Sequence, residues 1–233
     1  MAIWIKICGT TSVEDAETVA SAGASAVGFV FARSPRRIAA LDARTIATRL
    51  PATLQRVGVF VNEKPERVRD IVSRAGLTAV QLHGEETPEY VQNLFSAAPR
   101  PSDMGYPAER RRATRIFKAI PMDGEAGAKI AKFLAAGDAV DSFVLDSAGE
   151  LRGGSGKTFP WDAAAGLMKE FPKVRFVFAG GLNPENVGEA VAKLRPWGVD
   201  VASGVEKQPG VKIQDRVFAF VDAVRAAEKA LKL

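Results

Sequence analysis

Eight short runs rich in β-branched, aromatic and other apolar residues recur along the chain: Ile3–Cys8, Val27–Phe31, Arg56–Val61, Ala79–His83, Arg115–Ile120, Phe143–Asp146, Arg175–Ala179 and Val199–Ser203. Each has the length and composition of a strand, and their starts fall about 20 to 40 residues apart, room for a strand, a helix and two loops. The segments between them carry helix signals. Ser12 with Asp15 reads as a capping box before Ala16, Val19 and Ala20. Asn183-Pro184 reads as an N-cap followed by the first helical residue, with Val187, Val191 and Leu194 along one face. Val217, Phe220, Val221, Val224 and Leu231 stand at helical spacing in the last segment. Alternation of strands and helices without hairpin signals predicts an all-parallel sheet. Eight near-equal units with no second composition class predict closure into a single-domain (β/α)8 TIM barrel over residues 1–233, in preference to an open doubly wound sheet. The long connection between Val91 and Arg115 breaks the spacing and reads as an Arg-rich insertion around 98–114.

Strand alternation in a barrel sends one set of side chains toward the helices and the other toward the axis. Ile5 and Ile7, Val80 and Leu82, Phe143 and Leu145, and Val199 and Val201 then point outward. Lys6, Cys8, Gln81, His83, Asp146 and Asp200 take the inner phase. The only cysteine and the only histidine are in this set, and Cys8, His83 and Asp146 end their strands, where the active sites of this architecture sit. With one cysteine and one histidine, neither a disulfide within the chain nor a Cys- or His-based metal site is expected.

The last two strands run into Gly180-Gly181-Leu182-Asn183 and Ser203-Gly204-Val205-Glu206. Barrels bind phosphate at this place through backbone amides and the N-terminus of a short helix, so Gly180, Gly181, Ser203 and Gly204 are the candidate phosphate contacts. Gly153-Gly154-Ser155-Gly156-Lys157-Thr158 ends like a P-loop, but Leu151 stands where that motif needs its first glycine, and Pro160 follows closely. A loop that covers the substrate, with Gly154, Gly156 and Lys157, fits this segment better than a nucleotide cradle.

Charge adds little. Lys and Arg outnumber Asp and Glu by 32 to 27, a formal +5, and much of the excess is Arg100, Arg110, Arg111, Arg112 and Arg115. Pro101, Gly105 and Pro107 mark that stretch as an exposed loop, so a solvated surface is expected there rather than nucleic-acid binding. No apolar run approaches the roughly 20 residues of a membrane span. No signal-peptide pattern precedes the first strand. A reducing, cytoplasmic setting is expected.

Lys6-Ile7-Cys8-Gly9, Gly28-Phe29-Val30-Phe31 with Ser34-Pro35-Arg36, Val57 to Asn62, Val80-Gln81-Leu82-His83-Gly84, Leu145-Asp146-Ser147, Gly153 to Phe159, Gly180 to Val187 and Val199 to Glu206 together closely resemble the phosphoribosylanthranilate isomerase family. The resemblance spans nearly the whole chain in the family's order. It implies a small phosphorylated substrate, no cofactor, a chain that is a monomer or homodimer, and an Amadori rearrangement in tryptophan biosynthesis. By motif position it implies Asp146 as the general acid that opens the furanose ring and Cys8 as the general base at C2. Arg36 matches the arginine for the anthranilate carboxylate, with Arg37 beside it as the alternative. His83 lines the pocket or is a structural strand-end histidine. Asp200 contacts the substrate nitrogen or pairs with Lys6. A thiol needs only a modest downward shift to be largely thiolate at neutral pH, and Lys6 is the expected source of the positive potential. Asp146 has to hold a proton when it acts, which calls for an apolar or substrate-closed setting.

The chain departs from the family pattern after its last glycine loop. Gly210-Val211-Lys212 is followed by Ile213 and Gln214 instead of an acid, leaving Asp215 to begin the helix. The rival readings are a sister barrel acting on the histidine-pathway ribonucleotide, or a bifunctional version of it, and a silent barrel that binds a phosphorylated metabolite or nucleic acid through the Arg100–Arg115 loop. The sister enzymes carry an aspartate where this chain has Cys8, and a silent barrel has no need of both Cys8 and Asp146.

Overall fold

The computed structural model describes residues 2–95, 114–147 and 161–232. The insertion around 98–114 and the Gly153–Phe159 segment therefore lie outside the described residues, apart from Thr114. Eight parallel strands close in chain order into a barrel. They are β1 (Trp4–Cys8), β2 (Ala26–Val30), β3 (Gln55–Phe60), β4 (Ala79–Leu82), β5 (Arg115–Pro121), β6 (Ser142–Asp146), β7 (Phe176–Ala179) and β8 (Gly198–Val201). Between and after them run α1 (Val13–Ser21), α2 (Ala40–Ala47), α3 (Pro65–Ala75), α4 (Pro88–Leu94), α5 (Ala126–Ala135), α6 (Trp161–Glu170), α7 (Val187–Leu194) and α8 (Gln214–Leu231). A small antiparallel pair, β9 (Glu206–Gln208) and β10 (Val211–Lys212), stands between β8 and α8. No described helix is long and apolar enough to cross a membrane.

The period of two fixes the core. Ile5, Ile7, Val80, Leu82, Phe143, Leu145, Val199 and Val201 pack against the helices. Trp4, Val57, Phe117, Val144 and Val177 fill the barrel interior. Its N-terminal end is closed by aromatic rings. Trp4 stacks on Trp197 at 5.3 Å and tilts against Phe117 at 5.2 Å, while the Arg175 guanidinium lies 5.6 Å from the Trp197 ring. Such contacts add about 0.5–1.5 kcal/mol each to the burial itself. The floor is thus apolar, and the inward polar residues lie above it, toward the C-terminal rim.

Local signals act as the sequence predicts, with two corrections. The Ser12 side chain accepts the Asp15 N–H at 3.1 Å and caps α1. The return half of the capping box is not made, because the Asp15 carboxylate accepts the Lys212 N–H instead. Asn183 caps only a turn, its Oδ1 accepting from the N–H groups of Glu185 and Asn186. The regular helix α7 begins at Val187, with Asn186 at its N-cap, because Pro184 and Glu185 close that turn first. Helix α8 starts at Gln214 without a side-chain cap, and Asp215 in its first turn complements the helix dipole.

Candidate active site

The C-terminal rim encloses a cavity of about 760 Å³. Cys8, Arg36, His83, Asp146 and Asp200 line it, with Gly180, Gly181 and Ser203 on its late-strand side. Cys8 and Asp146 are the last residues of β1 and β6. His83 lies one residue beyond β4, but its N–H donates to the Phe60 carbonyl at 2.8 Å, so the side chain keeps the inner phase. Arg36 faces the cavity half-buried, whereas Arg37 is exposed and does not line it. Gly154, Gly156 and Lys157 lie outside the described residues. No cluster of three or more His, Cys, Asp or Glu that could hold a metal ion occurs among the described residues.

At the base of the cavity, Lys6 Nζ and Asp200 Oδ2 form a buried pair at 2.6 Å. Burial opposes the ammonium charge, but Asp200 and then Cys8 outweigh it and hold the Lys6 pKa above its ordinary value. Asp200 spends one oxygen on Lys6, and its Oδ1 has no hydrogen-bond partner. Of the two alternatives read from the sequence, the structure shows the pairing with Lys6, and the second carboxylate oxygen is buried beside it.

The Cys8 thiol corrects an expectation. Burial pushes its pKa above the ordinary thiol value, and Asp200 adds to the rise. Lys6 and Lys212 pull the other way without prevailing. Desolvation of a thiolate thus exceeds the field of two ammonium groups, each already paired with a carboxylate. Lys6→Met removes one of those fields and leaves Asp200 unpaired, so both changes act in one direction. The variant's Cys8 titration, followed by thiolate ultraviolet absorbance, is expected to move to higher pH; an unchanged curve would show that Lys6 exerts no such field.

The β9–β10 pair contributes two residues that sequence reasoning missed. Lys212 Nζ donates to the Cys8 backbone carbonyl and to Glu206 Oε1 at 2.8 Å. Glu206 in turn accepts Arg36 Nε at 3.0 Å on both oxygens and Arg36 Nη2 at 2.6 Å. This fork fixes the guanidinium plane and leaves Nη1 without a partner among the described residues. Glu206 ends the Val199 to Glu206 match and Lys212 lies in the Gly210-Val211-Lys212 stretch, but no periodicity aims either side chain at the site.

Two glycines set the walls. A Cβ at Gly28 would stand 2.8 Å from Cys8 Sγ, so only glycine fits beside the thiol on β2. Gly180 has φ +87° and packs against Ser147, and a Cβ there would lie 2.6 Å from Asp146 Oδ1. The loops after β7 and β8 are in contact, Gly204 packing on the Leu182 carbonyl, and Ser203–Val205 form a short 3-10 turn. Opposite them, His83 Nε2 lies 3.0 Å from Asp146 Oδ2, and Gln81 Nε2 lies 2.8 Å from His83 Nδ1.

The sequence profile of the family described as N-(5'phosphoribosyl)anthranilate (PRA) isomerase matches residues 5–223. The chain belongs to this isomerase family. Two relatives, both named N-(5'-phosphoribosyl)anthranilate isomerase, show how fully the family covers it. That of Chlorobaculum tepidum is 39% identical over 97% of each chain. That of Trichlorobacter lovleyi is 40% identical over 98% of this chain and all of its own. The crystal structure of phosphoribosyl anthranilate isomerase from Thermotoga maritima superposes with a TM-score of 0.79 at 38% identity, covering 96% of this chain and 99% of that one. Another isomerase structure, in complex with reduced 1-(o-carboxyphenylamino)-1-deoxyribulose 5-phosphate, gives a TM-score of 0.76 at 37% identity over the same shares.

Proposed function

We propose that this chain catalyses the Amadori rearrangement of N-(5-phosphoribosyl)anthranilate to 1-(2-carboxyphenylamino)-1-deoxyribulose 5-phosphate, a step of tryptophan biosynthesis, without a cofactor. Asp146 is the general acid and Cys8 the general base. The observation that carries this reading is that Asp146 and Cys8, at the ends of β6 and β1, face one cavity large enough for a sugar phosphate bearing an aromatic ring. The reduced product held by a relative of 37% identity supports the same product here.

Asp146 gives its proton to the ring oxygen as the C1–O bond breaks, and the sugar opens to a Schiff base. Cys8 Sγ then takes the C2 proton, and the electron pair left behind forms the C1=C2 bond of an enolamine. Return of that proton to C1, with transfer of the C2 hydroxyl proton to Asp146, yields the ketone and leaves both groups as they began. Lys6 and Lys212 stabilise the thiolate, and the free oxygen of Asp200 accepts from the substrate nitrogen. Backbone N–H groups of Gly180, Gly181, Ser203 and Gly204 hold the phosphate.

Arg36 binds the anthranilate carboxylate through the edge that Glu206 leaves open. Glu206→Gln weakens that fork, so KM is expected to rise about tenfold, the equivalent of about 1.4 kcal/mol of binding, with kcat within about twofold. An unchanged KM would remove Glu206 from substrate binding. The activity itself is tested by following the fluorescence change on turnover of N-(5-phosphoribosyl)anthranilate by the purified chain. Turnover of that substrate and not of the histidine-pathway ribonucleotide is expected; the reverse would overturn the assignment.

A further inference from the structure

We propose that Gln81 is a positioning residue which, by turning its side-chain amide, sets whether the His83–Asp146 pair holds the proton that opens the sugar ring. The proposal rests on the reading of Asp146 as the general acid. It starts from an anomaly in a well-packed place. Gln81 sits on the inner face of β4, 1% exposed, and its Oε1 is buried with no hydrogen-bond partner. Its one bond runs from Nε2 to His83 Nδ1 at 2.8 Å, and His83 Nε2 continues the line to Asp146 Oδ2 at 3.0 Å.

The donors and acceptors along this line are fixed by its first member. An amide nitrogen only donates, so with Nε2 facing it, His83 Nδ1 accepts. A neutral imidazole has one N–H, which then lies on Nε2 and points at Asp146 Oδ2. That oxygen must accept, so no proton of Asp146 lies between the two side chains. In this arrangement the His83–Asp146 contact has no acid proton to give.

Turning the amide end for end exchanges Oε1 and Nε2 in the same space. Oε1 then accepts from Nδ1–H. His83 Nε2 is free to accept from an Asp146 O–H, or to hold that proton itself against the carboxylate. Both forms carry one proton more than the observed arrangement. The proton given to the ring oxygen leaves from here, and the C2 hydroxyl proton restores it in the last step. The unpartnered Oε1 is what makes the turn feasible. No other group holds the far end of the amide among the described residues, so the imidazole alone selects between its two faces. The charged and titratable groups that line the same cavity are Cys8, Arg33, Arg36, Glu85 and Asp200, the last paired with Lys6 beneath it.

His83 is the only histidine, so labelling the full chain with ring-15N histidine gives a single pair of nitrogen signals. In the free wild-type protein Nδ1 is expected at the shift of an unprotonated acceptor. Addition of reduced 1-(o-carboxyphenylamino)-1-deoxyribulose 5-phosphate is expected to move it to that of a protonated nitrogen. Gln81→Met, which keeps the volume without donor or acceptor, is expected to abolish the Nδ1 preference and to lower kcat about tenfold with KM within about twofold. Gln81→Glu, which only accepts in its ionised form, is expected to hold Nδ1 protonated and to retain more kcat than the methionine variant. Wild-type Nδ1 protonated under every condition would overturn the proposal, and so would Gln81→Met with wild-type signals and kcat. Either of those results with an inactive Asp146→Asn variant removes the role of Gln81 alone, whereas a fully active Asp146→Asn variant removes the acid assignment beneath it.

Discussion

Asp146→Asn is expected to lower kcat for N-(5-phosphoribosyl)anthranilate about 10³-fold, the equivalent of about 4 kcal/mol in the barrier, with KM changed no more than about threefold. Asparagine keeps the shape of the side chain and an oxygen that accepts from His83 Nε2, so the packing against Gly180 and the 3.0 Å contact survive. What it lacks is a proton it can give to the ring oxygen. The loss therefore belongs to the chemical step, while the phosphate loops and the Arg36–Glu206 fork continue to bind. Steady-state turnover, followed by fluorescence, separates the two parameters. Wild-type kcat in this variant would mean that the ring opens without Asp146. A raised KM with unchanged kcat would make Asp146 a binding residue.

The period of two made much of this site legible. Once the strands are placed, alternation dictates that Lys6, Cys8, Gln81, Asp146 and Asp200 face the axis, and the interior cluster built on Trp4, Val57, Phe117 and Val144 has the same phase. Periodicity cannot choose between Arg36 and Arg37. It is Arg36 that lines the cavity, held there by Glu206 from a β9–β10 pair that no alternation announces. The contact of Lys212 with the site is hidden for the same reason. Its ammonium meets the Cys8 carbonyl only because β9 and β10 fold back over the end of β1. The direction of the Cys8 shift was out of reach for another reason. A sequence counts charges, but it does not say that Lys6 is already committed to Asp200 or that the thiol is buried, and burial decides the balance. Gln81 lies between these cases: its inward placement follows from the pattern, while the oxygen it leaves unpartnered depends on packing in three dimensions.

Cys8→Ser is expected to match the loss in Asp146→Asn, about 10³-fold in kcat, and Cys8→Ala to lose as much as serine does. A serine hydroxyl fits beside Gly28 but ionises far less readily than a thiol, so its oxygen is no base for the C2 proton. Equal losses in the two variants would assign the effect to the thiolate rather than to volume. Activity in serine near that of the wild type would exclude Cys8 as the base. In the free protein, burial keeps the thiol protonated above its ordinary range, so alkylation of Cys8 by iodoacetamide is expected to be slow at neutral pH and to quicken as pH rises. That raised value is compatible with catalysis because of the proton count across the cavity. A thiol at Cys8 with a carboxylate at Asp146 holds as many protons as a thiolate with an acid. The two forms differ only in where one proton sits, so no change of pH separates them. The pH–rate profile then reports the pair, and the reacting form is a fixed fraction of it across the plateau. Lys6 and Lys212 act by enlarging that fraction. Lys6→Met is accordingly expected to lower the height of the plateau as well as to shift the thiol, which distinguishes a role in the field at Cys8 from a role in holding the barrel together.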